Sequence, residues 1–285
     1  MKSPFREDAI KGRVVLITGG GSGIGFGIAK SLGTHGAKVV IMGRRENFLK
    51  DACSKLEGNG VQCAYFSGDV RKEQDADDAV KTAVERFGRL DTLINSAAGN
   101  FLALSEEMSM NAFRTVMEID AFGVFNLCRA AFPALKAANN GVVINISATL
   151  QKTASWYQTH ACAAKSAIDS MTRNLALEWG IYGIRVNGIA PGPIKDTPGL
   201  AKLQANPAHL SKVVEQIPLQ RIGTTDDIGL TALFLCTDAG SYISGDTIIV
   251  DGGEWLWKEP QVPRGMVSKV SRQVEDKSRS LKASL

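Results

Sequence analysis

The stretch TGGGSGIG at residues 18–25 follows the apolar run RVVLITG at 13–19 and precedes a segment of helical period that starts near Phe26. Glycine is needed in such a turn because a Cβ would block both the tight bend and the approach of a pyrophosphate to the next helix. A glycine-rich turn between a strand and a helix therefore predicts a dinucleotide site. The alternative interpretation is a purely structural turn.

Six further apolar runs follow, and each is separated from the next by a longer segment of helical period. They lie at 37–43, 61–70, 91–98, 141–148, 184–192 and 246–252. Their apolar character is continuous, which indicates strands that are covered on both faces. The sequence therefore predicts an α/β fold, a doubly wound parallel sheet of the Rossmann type.

The β/α pattern ends at Trp257. No linker composition divides the residues before it, so we expect a single domain over residues 1–257. Residues 258–285 are polar and basic and contain Pro260 and Pro263. We expect them to form a C-terminal tail with room for one short helix.

The composition of the 285-residue chain disfavours several classes of protein. Lys and Arg number 33 against 29 Asp and Glu, a net charge of +4 that is too small to indicate nucleic-acid binding. No apolar window is long enough for a membrane span. The cysteines Cys53, Cys63, Cys128, Cys162 and Cys236 are scattered, so we expect reduced, mostly buried thiols and neither a disulfide framework nor a metal site.

The choice of nucleotide is predicted from the end of the second strand, where an acidic residue would bind the ribose hydroxyls of NAD. Here the chain has Gly43-Arg44-Arg45. Without a carboxylate to repel it, a 2′-phosphate can pair with Arg44, so the sequence favours NADPH over NADH. The alternative interpretation is that Arg44 and Arg45 are a solvent-exposed pair at the end of a strand and bind no phosphate. Asp69 and Val70, at the end of the next strand, are placed to meet the adenine.

Four motifs in the same order resemble those of the short-chain dehydrogenase/reductase family: TGGGSGIG at 18–25, NSAAG at 95–99, RVNGIAPG at 185–192 and VDGG at 250–253. The resemblance covers residues 10–255 and implies homodimers or homotetramers. It also implies that Asn95 braces the sheet and that residues 191–197 close over the cofactor. The full set expected at the nucleotide is Gly19, Gly21, Ser22, Gly23, Ile24, Arg44, Arg45, Asp69, Val70, Asn95, Lys165, Pro191, Gly192, Pro193, Ile194 and Thr197.

Carbonyl-reducing members of this family carry a Tyr four residues before a Lys, so that the ammonium lowers the pKa of the phenol that protonates the carbonyl oxygen. Lys165 is present, but Ala161 stands four residues before it. The expected Ser falls at Ala148 and the expected Asn at Asp120. Tyr157 would lie about 12 Å from Lys165 along a helix, too far to substitute. A simple carbonyl reductase is therefore disfavoured.

The altered site suits a conjugated thioester, because hydride then adds to the far end of the double bonds and the proton is needed at carbon. Asp120 and Lys165 can hold the water that supplies this proton. The motifs AAGNF (97–101), EID (118–120), ISATL (146–150) and APGPI (190–194) resemble peroxisomal 2,4-dienoyl-CoA reductases. The resemblance implies reduction of 2,4-dienoyl-CoA to 3-enoyl-CoA by NADPH during oxidation of unsaturated fatty acids. Hydride would go to the δ-carbon, with Asp120 and Lys165 as the catalytic residues.

The same resemblance implies an acyl-CoA substrate and the residues that contact it: Arg71, Phe101, Ser109, Asn111, and Lys202 near the CoA phosphate. We also expect Trp156 and Tyr157 to line the acyl cleft. His160 has two equal interpretations, orienting the substrate or filling space. The alternative interpretation of Phe101 is an ordinary core residue. The alternative interpretation of Asp120 is a residue that caps or braces a helix.

Two other functions fit the sequence. A 2-enoyl-CoA or 3-oxoacyl thioester reductase would use the same site. A non-catalytic NADP-binding module would account for the missing Tyr and Ser.

Localisation is predicted from residues 283–285. Ala283-Ser284-Leu285 keeps the small residue and the terminal Leu of a Ser-Lys-Leu signal but lacks its basic residue. Peroxisomal import is the expectation from the resemblance, and cytoplasmic localisation is the alternative.

Overall fold

Seven strands form one parallel sheet in the structure, a computed structural model. They are β1 (Val14–Thr18), β2 (Lys38–Gly43), β3 (Cys63–Ser67), β4 (Thr92–Asn95), β5 (Val142–Ile146), β6 (Arg185–Pro191) and β7 (Thr247–Val250), in the order β3-β2-β1-β4-β5-β6-β7. Each of the seven apolar runs contains one strand, and the predicted doubly wound parallel sheet is confirmed. The strands are shorter than the runs, because the ends of the runs leave the sheet as loops.

The structure describes residues 3–203 and 208–283, without the side chains of residues 151, 202, 203, 208, 209 and 280–283. The helices are α1 (Gly23–Gly33), α2 (Glu46–Glu57), α3 (Glu73–Phe87), α4 (Met110–Met117), α5 (Gly123–Ala137), α6 (Leu150–Thr153), α7 (Thr159–Trp179), α8 (Pro198–Leu203), α9 (Ala208–Glu215), α10 (Thr225–Cys236) and α11 (Val267–Ala283). A π-helical turn, Glu118–Phe122, connects α4 to α5.

Alternate residues of each strand divide the core into two layers. On β1, Val15 and Ile17 pack in one cluster with α1, α2 and α10. Val14 and Leu16 pack in a second cluster with α3, α5 and α7. Because successive side chains of a strand point to opposite faces, both faces of the sheet need apolar residues. This requirement explains the uninterrupted apolar runs.

The order of the strands reverses between β1 and β4. Ligands bind at such a switch point in open α/β sheets, beyond the carboxyl ends of the strands. Thr18 pairs in register with Asn95, and Asn95 with Asn145, so β1, β4 and β5 end near the same level. The loops that leave these strands form the walls of a cleft.

The prediction that all five cysteines are reduced thiols is wrong for two of them. Cys53 on α2 and Cys63 on β3 form a disulfide, with Cα atoms 5.5 Å apart. Their spacing in the sequence does not reveal the bond, which depends on α2 packing against β3. Cys128, Cys162 and Cys236 are free.

The chain divides into two compact units, Met1–Trp255 and Leu256–Leu285. The second unit contains α11, whose 17 residues make it longer than the short helix expected in the tail. Within the described residues, no helix combines the length and apolar character needed to cross a membrane. Nor do the described His, Cys, Asp and Glu residues form a cluster that could hold a metal ion.

Candidate active site

The glycine-rich turn between β1 and α1 lines a cleft beyond the carboxyl end of β1. Gly19 has φ +67°, and a Cβ there would lie 2.9 Å from the carbonyl oxygen of Ser96. Ser22 is the N-cap of α1, but its side chain makes no capping hydrogen bond, and the first turn holds no acidic residue. The uncapped N–H groups and the positive end of the helix dipole therefore suit an anion.

Two arginines follow β2 at the same edge of the sheet. Arg44 and Arg45 both line the cleft, and the guanidinium of Arg45 lies 3.9 Å from the ring centroid of Phe48. Asp69 also lines the cleft. Hydrogen bonds from Arg71 lower the pKa of Asp69, and the charge of Arg44 adds a smaller effect in the same direction. The ion-pair partner of Asp69 is Arg71, at 2.5 Å, so the structure places Arg71 on this carboxylate.

These residues share one cleft of about 940 Å³ with the predicted catalytic pair. All the residues predicted at the nucleotide line this cleft except Asn95. Asn95 is buried in the sheet, where its Nδ2 donates to Asn145 Oδ1 at 2.8 Å. The structure therefore places Asn95 as a brace between β4 and β5, away from the cleft walls.

The centre of the cleft holds a buried acid beside a buried ammonium. Lys165 Nζ lies 3.0 Å from Asp120 Oδ2, and the two side chains are 9% and 1% exposed. Lys165 also donates to the Ile146 carbonyl at 3.1 Å, and the Gly99 N–H donates to Asp120 Oδ1 at 2.7 Å. Asp120 belongs to the π-helical turn, a distortion that often occurs at functional sites because it redirects a side chain.

The positions of the missing Tyr and Ser also face this cleft. Ala161 and Ala148 both line it, so no phenol or hydroxyl is present at either position. Tyr157 does not line the cleft and is 49% exposed. The acid and base groups at the centre are therefore Asp120 and Lys165, not a phenol.

The residues predicted at the substrate are only partly brought together. Phe101 lines the cleft, whereas Ser109 caps α4 by accepting from the Ala112 N–H at 3.2 Å, and Asn111 is exposed outside the cleft. The prediction that Trp156 and Tyr157 line the acyl cleft does not match their positions. They lie in the loop before α7, where Trp156 is 82% exposed and Tyr157 has φ +62°.

The predicted CoA-phosphate contact, Lys202, lies in α8, but its side chain lies outside the described part of the structure.

Residues 100–105 contact four consecutive residues, 157–160, which end one loop and begin α7, and we call these two segments the loop clasp. Its contacts are Ala103 N to Tyr157 O at 3.0 Å, Asn100 Nδ2 to Gln158 Oε1 at 2.6 Å, Ser105 Oγ with Thr159 Oγ1 at 2.7 Å, and the stacked rings of Phe101 and His160 at 4.2 Å. The loop clasp fixes Phe101 relative to α7, which carries Lys165.

Asn100 and Gln158 also line the cleft, and neither is among the residues predicted from the sequence. Asn100 belongs to the AAGNF motif, and Gln158 lies three residues before Ala161. A polar residue close to the position of the missing Tyr is a signal that could have identified Gln158, although its partner Asn100 lies 58 residues away along the chain. Glu254 also lines the cleft, and burial raises the pKa of its carboxyl, with a smaller contribution from Asp251.

Comparison with known proteins gives matches over most of the chain. Residues 19–254 match the family model described as enoyl-(acyl carrier protein) reductase. The chain is 52% identical to the peroxisomal 2,4-dienoyl-CoA reductase [(3E)-enoyl-CoA-producing] of Arabidopsis thaliana, over 98% of this chain and 97% of that protein. It is 45% identical to the protein of the same name from Pongo abelii, over 88% of this chain and 87% of that one.

A solved structure is similar as well. A short chain dehydrogenase from Bacillus anthracis superposes with a TM-score of 0.82 and 38% sequence identity, covering 88% of this chain and all of the other. The sheet order, the glycine-rich turn and these matches agree. The chain belongs to the short-chain dehydrogenase/reductase family of oxidoreductases, which use a nicotinamide cofactor.

Proposed function

We propose that this protein reduces 2,4-dienoyl-CoA thioesters to 3-enoyl-CoA with NADPH. The observation that carries the proposal is the buried pair of Asp120 and Lys165, 3.0 Å apart, beside Ala161 in the cleft. Without a phenol at position 161, the site lacks the usual acid for a carbonyl oxygen. An acid and an ammonium that can hold a water suit delivery of a proton to carbon. The names of the two similar reductases support the same substrate class.

The cofactor that we propose is NADPH, which when bound would supply hydride to the δ-carbon. The ammonium of Lys165 places positive charge near the thioester oxygen, where negative charge accumulates as the conjugated system is reduced. Asp120 accepts a hydrogen bond from a water and Lys165 donates one to it. A proton of that water goes to the α-carbon, and the electron pair for the new C–H bond comes from the dienolate. The hydroxide that remains takes a proton from the Lys165 ammonium, and solvent then reprotonates the amine.

The substrate contacts that we propose are Phe101, which lines the cleft, on the acyl chain, with Ser109 and Asn111 outside the cleft at the start of α4. Arg71 is a further proposed substrate contact, and Lys202 would supply positive charge near the CoA phosphate. Because Ser109 and Asn111 lie at the start of α4, whereas Phe101 lies in the loop clasp, the acyl chain would run between the two. Exchange of Ser109 or Asn111 for Ala tests this arrangement through the KM for acyl-CoA.

The test of the reaction is an assay with 2,4-hexadienoyl-CoA and NADPH, followed at the NADPH absorbance. We expect oxidation with the dienoyl thioester and little with crotonyl-CoA or acetoacetyl-CoA. The reverse pattern would assign the protein to the 2-enoyl or 3-oxoacyl thioester reductases. Tight NADPH binding without turnover of any thioester would assign it to the non-catalytic modules.

The preference for NADPH over NADH is proposed to depend on Arg44. Arg44→Ala removes a charge-assisted contact to the 2′-phosphate, so the Kd for NADPH should rise roughly tenfold or more while the Kd for NADH stays constant. Fluorescence titration with both nucleotides measures the two values. Lys55→Ala, at an exposed position of α2, is the control. An equal rise for both nucleotides would reject this basis for cofactor choice.

We also propose a peroxisomal location, since both similar reductases are named peroxisomal. A homodimeric or homotetrameric assembly is proposed from the family resemblance alone. Of the terminal tripeptide, Ser284 and Leu285 lie outside the described residues. A fluorescent protein fused ahead of Met1 should colocalise with a peroxisomal marker, and diffuse cytoplasmic fluorescence would contradict this. Light scattering of the purified protein gives the number of subunits.

A further inference from the structure

The second unit, Leu256–Leu285, carries all of the excess positive charge of the chain. Its sequence has seven Lys and Arg against three Asp and Glu, a net charge of +4, and the whole chain also has a net charge of +4. The first unit, Met1–Trp255, therefore has no net charge. An excess of one sign that is confined to a short segment indicates a partner of the opposite sign.

The main element of this unit is α11, which has an apolar stripe along one side. Val267, Val270 and Val274 are spaced by three and four residues, so they lie within an arc of about 60° around the helix. The side chains of Val267 and Val274 are 52% and 62% exposed. An exposed, contiguous apolar stripe is typical of an interaction site.

The other side of α11 is rich in basic residues. Lys269, Arg272 and Arg279 lie on the side of the helix opposite the valines, and all three are exposed. An apolar stripe on one side and Lys and Arg on the other are typical of helices that lie in the plane of a membrane surface. The long side chains of Lys and Arg can reach the phospholipid headgroups while the apolar side contacts the acyl chains.

The segment before α11 adds further exposed apolar side chains. Leu256, Trp257 and Met266 are 62%, 40% and 48% exposed. Tryptophan is enriched where membrane meets water, because its apolar ring and its polar N–H suit that boundary. A second copy of α11 is a poor partner for the stripe, because it would bring the same excess of positive charge to the interface.

We propose that the second unit binds the surface of membranes that contain anionic phospholipids, with α11 lying in the plane of the surface. Val267, Val270 and Val274 contact the acyl chains, and the Lys and Arg residues contact the phosphate groups. The apolar stripe is narrow, so the electrostatic attraction dominates and binding is reversible and sensitive to salt. This binding is independent of the proposed reaction.

The test measures binding of the full-length protein to vesicles by cosedimentation. The probes are vesicles of phosphatidylcholine with about 30% phosphatidylserine and vesicles of phosphatidylcholine alone. We expect the partition coefficient to be roughly tenfold or more higher for the anionic vesicles, because each Lys or Arg near the surface is attracted to it. Raising the salt concentration from about 0.05 M to about 0.5 M should release the protein.

Two variants separate the charges of α11 from its apolar stripe. Lys269→Glu/Arg272→Glu/Arg279→Glu should lower the partition coefficient for anionic vesicles roughly tenfold or more. Val267→Ser/Val274→Ser should lower it roughly threefold or more, because less apolar surface enters the membrane. Both variants should keep the Tm of the wild type, since the substituted side chains are exposed.

The matched control is Lys11→Glu/Lys55→Glu/Arg86→Glu, which makes the same change in net charge at three exposed positions of the first unit. It should bind anionic vesicles like the wild type. If this control loses as much binding as the α11 charge variant, the overall charge of the protein attracts the vesicles and the second unit has no special role.

Three other results would overturn the proposal. The first is equal binding to neutral and anionic vesicles, or binding to neither. The second is unchanged vesicle binding by Val267→Ser/Val274→Ser together with fewer subunits in light scattering, which would assign the apolar stripe to a second copy of the chain. The third is equally tight binding to polyglutamate that does not need the valines, which would assign the second unit to an acidic protein.

Discussion

Asp120 is held from two sides, by the Gly99 N–H on Oδ1 and by the ammonium of Lys165 near Oδ2. Removing the charge of one member of a buried ion pair leaves the other uncompensated, which is more costly than the pair itself. The pair is therefore sensitive to single substitutions in both stability and chemistry.

Asp120→Asn keeps an acceptor for the Gly99 N–H but removes the carboxylate charge. We expect kcat with the dienoyl thioester to fall by about 10²- to 10⁴-fold, the usual contribution of a positioned acid or base. The free energy of unfolding should fall by about 3 kcal/mol because Lys165 stays buried. Steady-state kinetics and urea denaturation measure these effects, with exposed Asp77→Asn as the control. Normal turnover by Asp120→Asn would show that Asp120 takes no part in the reaction.

Individual residues differ in how far the sequence could predict them. Asp120 and Lys165 could be found because their positions are fixed by spacing from recognisable motifs. The sequence predicts Trp156 and Tyr157 in the acyl cleft because aromatic side chains commonly line ligand pockets, but both side chains are exposed. The backbone of the loop that carries them includes positive φ angles at Ala154 and Tyr157, which residue types outside glycine do not signal.

At the scale of elements, α10 supports the helix that carries the nucleotide-binding turn. A Cβ added to Gly27 of α1 would overlap with Thr225, and one added to Gly229 of α10 would overlap with Ser31. The two helices therefore approach closely only because these residues are glycines. Thr224 and Asp227 form a capping box at the start of α10. The position of α1 thus depends on a helix start far from it in the sequence.

Asp227→Asn tests this capping box through its pH dependence. Hydrogen bonds from Arg221, with further ones from Thr224, lower the pKa of Asp227 to about 2 from 3.8. A lowered folded-state pKa contributes stability above the unfolded pKa, and this stability is lost as pH falls through about 2. Because solvent screens this partly exposed pair, the wild type should gain about 1 kcal/mol from the group at pH 7, and the variant should lack it.

Urea denaturation between pH 7 and pH 2 measures the effect. The wild type should lose more stability than Asp227→Asn between about pH 4 and pH 2, whereas exposed Asp51→Asn should follow the wild type. Parallel stability curves for the wild type and Asp227→Asn would be inconsistent with the capping role.

At the scale of the whole molecule, the fold was predictable because every strand has the same apolar pattern in the sequence. Both faces of the parallel sheet are covered, so each strand appears as an apolar run, and the glycine-rich turn marks the first crossover. The disulfide between Cys53 and Cys63 was not predictable. It depends on how α2 lies over β3, and an odd number of scattered cysteines carries no information on that packing.

This disulfide should raise the stability of the first unit, Met1–Trp255. It closes a short loop, with a sequence separation of 10 residues, and cross-links of this length contribute about 2–3 kcal/mol by restricting the unfolded chain. Adding a thiol reductant should therefore lower Tm by roughly 5 °C in a thermal scan. A Cys53→Ala/Cys63→Ala variant should start at the lower Tm and not respond. If reductant does not change the Tm of the wild type, the disulfide does not contribute to stability.

The loop clasp limits how new acyl specificities can be engineered into this protein. Residues 100–105 and 157–160 lie far apart along the chain, but each segment is shaped by hydrogen bonds and a ring stack from the other. A chimera that imports only one segment from another reductase would bring side chains without their counterparts. A chimera should therefore exchange both segments of the loop clasp together.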